Sequence, residues 1–307
     1  MKISNPIYFE LLRYKLIKKK NIIKLSDSTR DAKVKVYQDK KTKIIFLQKS
    51  ITNLDYYKIS KNKDKDRTKN LKKKFALIKI KKNNKNNTII KTPIIENDKR
   101  RFIQHKNFFF NKNILDYGCG WGGFLCEVKN AKSLTGFEIR QECLDYLKNK
   151  KNIEIIETLN NLSHKFDIIT LFHVLEHLQN PFHVLKQLKK ALKSNGKIII
   201  EVPSANDFLL SIKNLESFKK FTFWSEHLML HTEQSIRKFL KVCGFKNIQV
   251  FYYQRYNFEN HLGWFTSGTP GGHEFFKGTV DEMFIKDYNE FLKRSKKTDT
   301  LIAIADS

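Results

Sequence analysis

The stretch LFHVLEHL, residues 171–178, contains the pattern H-x-x-E-H, whose residue types can bind a metal ion. On a helix, residues four apart share a face, so that His173 and His177 could both reach one ion. Some zinc hydrolases are built on this pattern. However, Pro181 opens another predicted helix directly afterwards, which leaves little room for a metal-binding helix here. We therefore predict no metal site, with an ion held by Glu176 and a histidine as the open alternative.

The stretch from Asp116 to Gly122 contains an acid and three glycines in the pattern D-x-G-x-G-x-G. Glycines allow the chain to turn sharply and let a ligand touch bare backbone. The predicted helix that follows offers free N–H groups and the positive end of its dipole to an anionic group. This spacing predicts a loop that binds a nucleoside-containing ligand, with Asp116, Gly118, Gly120 and Gly122 as its binding residues.

A further acid, Glu138, ends the next predicted strand, where a carboxylate can accept hydrogen bonds from both hydroxyls of a ribose. The dinucleotide fingerprint G-x-G-x-x-G has its third glycine three residues beyond the second. Here Gly122 follows Gly120 by two residues, so that the spacing departs from the dinucleotide fingerprint.

Strands and helices alternate from Asn113 onward, and this alternation must position these side chains. The predicted strands are residues 113–118, 133–139, 153–157, 166–172, 196–203, 247–254 and 300–305, and the predicted helices are residues 121–131, 140–150, 181–193 and 232–245. Such alternation is typical of an α/β fold with a mostly parallel, Rossmann-like sheet and helices on both faces.

The N-terminal region is strongly basic and differs in character. Residues 1–110 carry 32 of the 59 basic residues but 9 of the 31 acidic ones, within a chain whose net charge is +28. We predict a helix within residues 1–25, a β-hairpin at 32–49, a Lys/Asn-rich linker at 58–91 and a helix at 96–110. The predicted division is a basic N-terminal region, residues 1–105, and a second domain, residues 106–307.

The composition excludes several protein classes. The 40% hydrophobic content of the 307 residues is typical of a globular protein, and no apolar run is long enough to span a bilayer. The first residues lack the apolar core of a signal peptide, and the four cysteines form no C-x-x-C pair. We therefore predict a cytoplasmic protein without disulfides.

The D-x-G-x-G-x-G motif resembles motif I of the class I S-adenosylmethionine-dependent methyltransferases. FDIITLFHVLEHLQNP, residues 166–181, is similar to the family's segment after strand 4, and LKSNGKIIIEVP, residues 192–203, to its strand 5. The resemblance implies a seven-stranded sheet and S-adenosylmethionine as cofactor. It assigns the glycine loop to the methionine part, Glu138 to the ribose, and Glu157 and Leu159 to the adenine.

Within this family, L-E-H-L at the position of residues 175–178 resembles the ubiquinone-biosynthesis and sugar-modifying members. There it lies near the methyl donor and the acceptor pocket, which implies that His173 faces a ligand. Glu226, His227 and His231 resemble a Glu–His stretch of sugar-modifying members in which the pair can act as base. We predict His227, Glu226 and His173 as catalytic residues and His231 as a substrate contact, since a neutral histidine can remove a hydroxyl proton.

Residues 256–298 form a long insertion between the last two predicted strands. Its glycines, proline and aromatic side chains predict an ordered, lid-like loop over the pocket, with Trp264 and His273 as further substrate contacts. Local packing of these side chains on a core is the alternative.

These observations predict methyl transfer to a small-molecule acceptor, most simply a sugar or nucleotide-sugar of surface polysaccharide synthesis. The alternatives are a quinone- or lipid-type O-methyltransferase and a nucleic-acid methyltransferase that binds through the basic N-terminal region. Against a nucleic-acid substrate, the chain has neither the [DN]-P-P-[YFW] motif of amino-methylating enzymes nor the Pro-Cys pair of cytosine-5 enzymes.

Overall fold

The computed structural model describes residues 3–52, 93–148, 150, 152–160 and 162–307. The predicted Lys/Asn-rich linker, residues 58–91, lies outside the described residues. The chain divides into two compact units, of which one contains residues 52–170 and the other contains residues 1–51 and 171–307. The predicted domain boundary near residue 105 stays a prediction.

The described residues form eleven strands. They are β1 (Ile22–Ser26), β2 (Val36–Asp39), β3 (Ile45–Leu47), β4 (Asn113–Tyr117), β5 (Ser133–Phe137), β6 (Glu154–Ile156), β7 (Phe166–Phe172), β8 (Leu192–Pro203), β9 (Met229–Leu230), β10 (Lys246–Tyr253) and β11 (Thr300–Asp306).

Seven of these strands form one sheet in the order β10-β11-β8-β7-β4-β5-β6. Strand β4 is parallel to both β5 and β7, and β5 is parallel to β6. Strand β11 is antiparallel to both β8 and β10. The predicted seven-stranded, mostly parallel sheet is thereby confirmed, and the final run TLIAIA is its antiparallel strand.

The burial of β4 and β7 explains why their sequences are almost continuously apolar. Nearly every residue of both strands is buried, as expected for strands covered by helices on both faces. The register pairs Asp116 with Thr170 on β7 and with Gly136 on β5. Parallel strands end at one edge of a sheet, so that the loops after β4 and β5 leave the sheet together.

The described residues also form eleven α-helices. They are α1 (Pro6–Arg13), α2 (Pro93–His105), α3 (Gly123–Glu127), α4 (Gln141–Leu147), α5 (Pro181–Ala191), α6 (Phe208–Ser211), α7 (Glu216–Thr222), α8 (Glu233–Val242), α9 (Phe258–Thr266), α10 (Gly272–Phe275) and α11 (Glu282–Arg294). None of the helices in the described part of the chain has the length and apolar character needed to cross a membrane.

Two helices are shorter than the sequence patterns predict. Helix α1 begins at Pro6, capped by the Asn5 side chain, and the chain turns at Lys15, whose φ is +56°. Residues 22–25, which the sequence pattern predicts as part of this helix, belong instead to β1, which pairs antiparallel with β2. Helix α3 ends after five residues, where Val128 is extended.

The predicted hairpin at residues 32–49 is confirmed by the antiparallel pairing of β2 with β3. Strands β1 and β9 flank this hairpin in a four-stranded sheet of order β1-β2-β3-β9. The completely buried Asn5 side chain donates from Nδ2 to the carbonyl oxygens of Leu47 at 3.0 Å and Leu228 at 2.9 Å. The N-terminal residues therefore belong to the same folded unit as the C-terminal half.

The insertion at residues 256–298 is mainly helical, because it contains α9, α10 and α11. Asn257 caps α9 and Asp281 caps α11 through their side chains. Its role as a lid stays a prediction.

Candidate functional site

The glycine loop lies between β4 and α3, and its backbone is the first element of the candidate site. Gly118, Gly120 and Gly122 have φ angles of +79°, +57° and +73°, which a side chain would strain. A Cβ atom on Gly120 would lie 3.2 Å from Arg140 Nη2, and one on Gly122 would lie 2.6 Å from Leu147 Cδ2. Glycine is thus favoured at Gly120 and Gly122 both by the backbone conformation and by the lack of room for a side chain.

Glu138 is a buried carboxylate directed at this loop. Its Oε2 accepts a hydrogen bond from Gly120 N at 2.9 Å, and its Oε1 accepts from Ile139 N at 2.8 Å and Arg140 N at 3.0 Å. The Arg140 guanidinium donates to both oxygens, at 3.3 and 3.1 Å. Burial alone would raise the pKa of Glu138, but the charge of Arg140 and these hydrogen bonds hold the pKa below its usual range.

Asp116 is buried at the end of β4, and its Oδ1 accepts a hydrogen bond from Thr170 Oγ1 at 2.7 Å. Burial raises the pKa of Asp116 to about 7, although the Thr170 hydrogen bond and the charge of Arg101 act in the opposite direction. The carboxyl group therefore changes its charge near neutral pH. A cationic ligand beside Asp116 would favour the ionised form.

Helix α2 brings an ion pair to the same loop. Arg101 Nη1 lies 3.1 Å from Asp98 Oδ1, and both side chains are 11% exposed. A Cβ atom on Gly123 would lie only 2.0 Å from Asp98 Oδ2, which explains why glycine follows Gly122 at the start of α3. Asp98 and Arg101 also act electrostatically on Asp116.

The predicted adenine contacts, Glu157 and Leu159, directly follow β6. Glu157 is exposed, and Leu159 is partly buried. The structure thus places both on the segment that leaves the edge strand, next in sheet order after β5.

These residues fit a nucleoside ligand with a cationic or zwitterionic end. Glu138 offers carboxylate oxygens to a ribose, the glycine loop offers bare backbone, and Asp98, Arg101 and Asp116 offer charges of both signs. Of the predicted cofactor-binding residues, the structure brings Asp116, the three glycines and Glu138 together within residues 52–170.

In the other unit, His173 follows β7 with a φ of +56°, an uncommon value for a residue with a side chain. Its Nδ1 lies 3.2 Å from Glu176 Oε1, and its Nε2 lies 3.2 Å from Glu201 Oε1 and 3.1 Å from Arg255 Nη1. A guanidinium only donates, so that the neutral ring with its proton on Nδ1 satisfies both Glu176 and Arg255. Both ring nitrogens of this predicted catalytic residue are therefore already engaged.

Glu176, His177 and His227 lie together beside Trp224. The His177 and His227 rings are 4.8 Å apart, and Trp224 contacts both at 6.0 and 5.2 Å between ring centres. The pKa of His227 is lowered to about 3, mainly by burial and secondly by the neighbouring His177. The His227 ring is therefore neutral. Burial would raise the pKa of Glu176, but its contacts with the three neighbouring histidines lower the pKa to about 2.

His231, which the sequence predicts as a substrate contact, lies in the protein interior. The ring is completely buried, its Nδ1 lies 3.2 Å from Ser235 Oγ, and it packs edge-on against Phe239. Burial lowers the pKa of His231 to about 4. These contacts are those of a structural histidine at the N-terminus of α8. Glu226 precedes His227 and is partly buried.

The two predicted substrate contacts in the insertion have different environments. Trp264 is 3% exposed and packs against Phe218 and Phe221, so that it belongs to a local core, the alternative considered for the insertion. His273 is partly exposed, and its Nδ1 lies 3.1 Å from Asn260 Nδ2. Only His273 of this pair is accessible to a small molecule in the described conformation.

Sequence reasoning missed several polar residues of these two groups: Asp98, Arg101, Arg140, Thr170, Glu201 and Arg255. Arg140 had a signal, because it follows the predicted ribose-binding acid by two residues. Glu201 lay within an apolar strand, where a charge is costly unless paired. Arg255 approaches His173 from 82 positions away, a contact that no local pattern encodes.

The sequence matches the family model described as a methyltransferase domain over residues 58–250. The ubiquinone biosynthesis O-methyltransferase of Coxiella burnetii is 31% identical over 117 residues, which cover 34% of this chain and 50% of that protein. The protein of the same name from Idiomarina loihiensis is 33% identical over 118 residues, which cover 34% and 48% of the two chains. The chain thus spans about half the length of the curated relatives it matches.

Solved structures of methyltransferases are similar at lower identity. A SAM-dependent methyltransferase from Archaeoglobus fulgidus has a TM-score of 0.49 and 21% identity, covering 69% of this chain and 94% of that one. Phosphoethanolamine N-methyltransferase 2 of Haemonchus contortus, in complex with S-adenosyl-L-methionine, has a TM-score of 0.44 and 17% identity, covering 69% and 52%.

Proposed function

The chain belongs to the class I S-adenosylmethionine-dependent methyltransferase family, and we propose that its acceptor is a small molecule with a hydroxyl group. One observation supports the donor half most strongly. The Glu138 carboxylate accepts a hydrogen bond from Gly120 N at 2.9 Å, so that the predicted ribose acceptor and the bare glycine backbone form one site. When bound, S-adenosylmethionine supplies a methyl group already activated on a sulfonium sulfur.

The residues of the 52–170 unit hold and orient the donor in this proposal. Glu138 binds the ribose hydroxyls, Gly118 to Gly122 bind the methionine part through backbone, and ionised Asp116 lies near its cationic groups. Glu157 and Leu159 bind the adenine. Since the donor is already activated, positioning supplies most of the rate.

The choice of an oxygen acceptor rests on the relatives, which are named as O-methyltransferases of ubiquinone biosynthesis. They favour a phenolic, quinone-type acceptor. The sequence resemblance to sugar-modifying members supports a sugar or nucleotide-sugar instead. Both acceptor classes present a hydroxyl whose proton must leave as the methyl group arrives.

A base for that proton remains part of the proposal. His173 has both ring nitrogens engaged, whereas His227 is neutral and, within the described residues, its Nδ1 has no hydrogen-bond partner. His227, supported by Glu226, is therefore the preferred base among the predicted residues. Its low pKa makes it a weak base, which suits an acidic phenol better than a sugar hydroxyl.

The acceptor is tested with methyl-labelled donor added to extracts that are then separated into polar metabolites, lipids and RNA. Label in a polar or lipid metabolite, followed by mass analysis of the product, supports the proposal and separates a sugar from a quinone. Label confined to RNA would overturn it in favour of the basic N-terminal region as a nucleic-acid grip. Glu138→Gln protein is the control, because it should lose labelling in every fraction. A cytoplasmic location is part of the same proposal.

A further inference from the structure

Three side chains converge on one point, Glu176 and His177 from the segment after β7 and His227 from the segment after β8. One potential ligand atom from each of Glu176, His177 and His227 can be chosen so that all three lie within 4.8 Å of one another. The Glu176 Oε1 to His177 Nε2 distance is 3.9 Å. The side chain of Glu176 is completely buried, whereas that of His177 is 19% exposed, which leaves an approach from solvent.

Two atoms of this cluster are buried and unsatisfied. Glu176 Oε2 and His227 Nδ1 have no hydrogen-bond partner among the described residues. A buried carboxylate oxygen without a partner costs free energy, on the order of 1–3 kcal/mol or more for a charged group. Such atoms in one cluster indicate that something else binds there.

The segments that carry the ligands are held in place by backbone bonds. Leu228 N donates to Glu176 O at 2.9 Å, which joins the residue after His227 to the residue before His177. His177 N donates to Val174 O, and His227 N donates to Trp224 O, both at 3.0 Å. The three ligand-bearing positions are thus fixed relative to one another before any ligand arrives.

We propose that Glu176, His177 and His227 form a binding site for a divalent transition-metal ion of the zinc type. Two imidazoles and one carboxylate are a frequent ligand set for such ions, and three protein ligands leave a fourth position open. With metal–ligand bonds of about 2.0–2.1 Å, tetrahedral ligands lie roughly 3.3 Å apart. Small side-chain rotations therefore suffice to close the cluster around an ion.

The neighbouring polar residues complete the site as supports. His173 Nδ1 lies 3.2 Å from Glu176 Oε1, a contact that orients the carboxylate. Arg255 Nη1 in turn lies 3.1 Å from His173 Nε2. This arrangement gives His173 a positioning role behind Glu176.

A metal-bound His227 cannot also accept a proton, so that the ion-bound protein needs a base other than the His227 of the proposed function. The sequence pattern H-x-x-E-H suggested His173 and His177 as a metal pair on a helix. In the structure Leu175–His177 is one 3₁₀ turn, and the third ligand comes from His227, fifty residues later in the chain. The ligand set is therefore different from the one that the motif predicts.

The test uses the full-length chain, freed of any affinity tag and dialysed against a chelator. Zn²⁺ is titrated by calorimetry, and Co²⁺ is added to a second sample as a spectroscopic substitute whose absorption reports ligand number. We expect one ion per chain. Separate Glu176→Gln, His177→Gln and His227→Gln variants should each lower the affinity at least about 10-fold. His183→Gln, a histidine outside the cluster, is the control and should bind like wild type.

Equal affinity in wild type and all three cluster variants, or no binding at all, would overturn the site. Circular dichroism checks that each variant is folded. If Glu176→Gln does not fold, the His177→Gln and His227→Gln variants, which change partly exposed side chains, still test the site through the Co²⁺ spectrum. These readouts need no methyl transfer, so that failure of the acceptor proposal and failure of the metal site are distinguishable.

Discussion

At the scale of single residues, substitutions of Glu138 and Arg140 should have opposite effects on the affinity for the methyl donor. Glu138→Gln removes the charge that accepts the ribose hydroxyls and should weaken S-adenosylmethionine binding at least about 10-fold. Arg140→Ala frees two hydrogen-bond sites on Glu138 while three backbone N–H groups still hold the carboxylate. It should therefore strengthen binding several-fold, as one competing hydrogen bond is worth about 1 kcal/mol.

Calorimetry on the folded variants measures both effects. Glu142→Gln, in the first turn of α4 and without a hydrogen bond to Glu138, is the charge-matched control and should bind like wild type. Weaker binding in Arg140→Ala would instead mean that the guanidinium contacts the donor directly.

Asp116 predicts a pH dependence of folding stability. Its pKa is about 7 in the folded chain and near 3.8 when unfolded, so that between these values the folded state holds the extra proton. The free energy of unfolding contributed by this group therefore falls as pH rises from about 4 to about 7, by about 1.4 kcal/mol per pH unit. Below pH 4 both states are protonated and the dependence stops.

Urea unfolding of wild type and Asp116→Asn at pH 5 and pH 7 checks this prediction. The asparagine variant should lose less stability than wild type over that interval, with the difference largest at pH 7. Parallel curves for the two proteins would show that the carboxyl group is ionised in the folded state across the range.

The sequence predicted which proposed donor residues lie together better than which proposed acceptor residues do, for a physical reason. Glycines and an acid at strand ends are local features, so that their spacing alone predicts the proximity of Gly120 and Glu138 that the structure shows. Arg101, Glu201 and Arg255 take part through contacts between distant segments, whose partners no local pattern specifies. His231 and Trp264 looked functional but are buried in local packing.

At the scale of elements, the turn from β4 into α3 contains a glycine, Gly122, at which a side chain would cause both conformational strain and a steric clash. Gly278, in the insertion, allows the strain to be measured without the clash. Gly122 and Gly278 have φ angles of +73° and +80°, yet a Cβ atom would meet Leu147 Cδ2 at 2.6 Å in the first case and nothing within 4 Å in the second. Gly278→Ala should cost only the strain of a left-handed residue, about 1–2 kcal/mol. Gly122→Ala should cost more and also weaken donor binding.

Chemical denaturation of the two alanine variants measures the difference, and donor titration adds a second readout. An equal loss of stability in both would show that Leu147 moves aside without cost. Donor affinity should stay unchanged in Gly278→Ala, which serves as the matched control for the glycine loop.

Strands were easier to predict than the connecting segments. The mainly apolar runs of β4 and β7 and the second half of β8 predict buried strands in an alternating chain. Strand β8 begins four residues earlier than predicted, in the polar stretch from Leu192. The insertion at 256–298 has glycines and a proline that favour a loop, yet side-chain caps start α9 and α11 between them. Helix α11, Glu282–Arg294, is amphipathic, so that its periodicity was a signal that the loop-like composition of the insertion obscured.

At the scale of the whole molecule, the N-terminal residues belong to a compact unit that also contains the C-terminal half of the chain. Residues 1–51 form one compact unit with residues 171–307, and strand β9, far along the chain, is paired with β3. The basic charge of the N-terminal third suggested a separate grip for nucleic acid. The described part of that region builds a sheet, which a charge pattern could not reveal.

Asn5 provides the sharpest test of this integration. Its Oδ1 accepts a hydrogen bond from Ile7 N as the cap of α1, and its Nδ2 donates to Leu47 O and to Leu228 O, 223 positions away. Asn5→Asp keeps the cap but removes both donors, whereas Asn5→Ala removes all three bonds. Leu47 O and Leu228 O both lose the Asn5 amide as a donor, although Leu228 O still accepts from Leu47 N at 3.1 Å. Each variant should therefore lower the free energy of unfolding by about 1–3 kcal/mol. Hydrogen exchange should then show increased opening in residues 171–307 as well as in the first fifty. Opening confined to the N-terminal residues would mean that they fold independently of the rest.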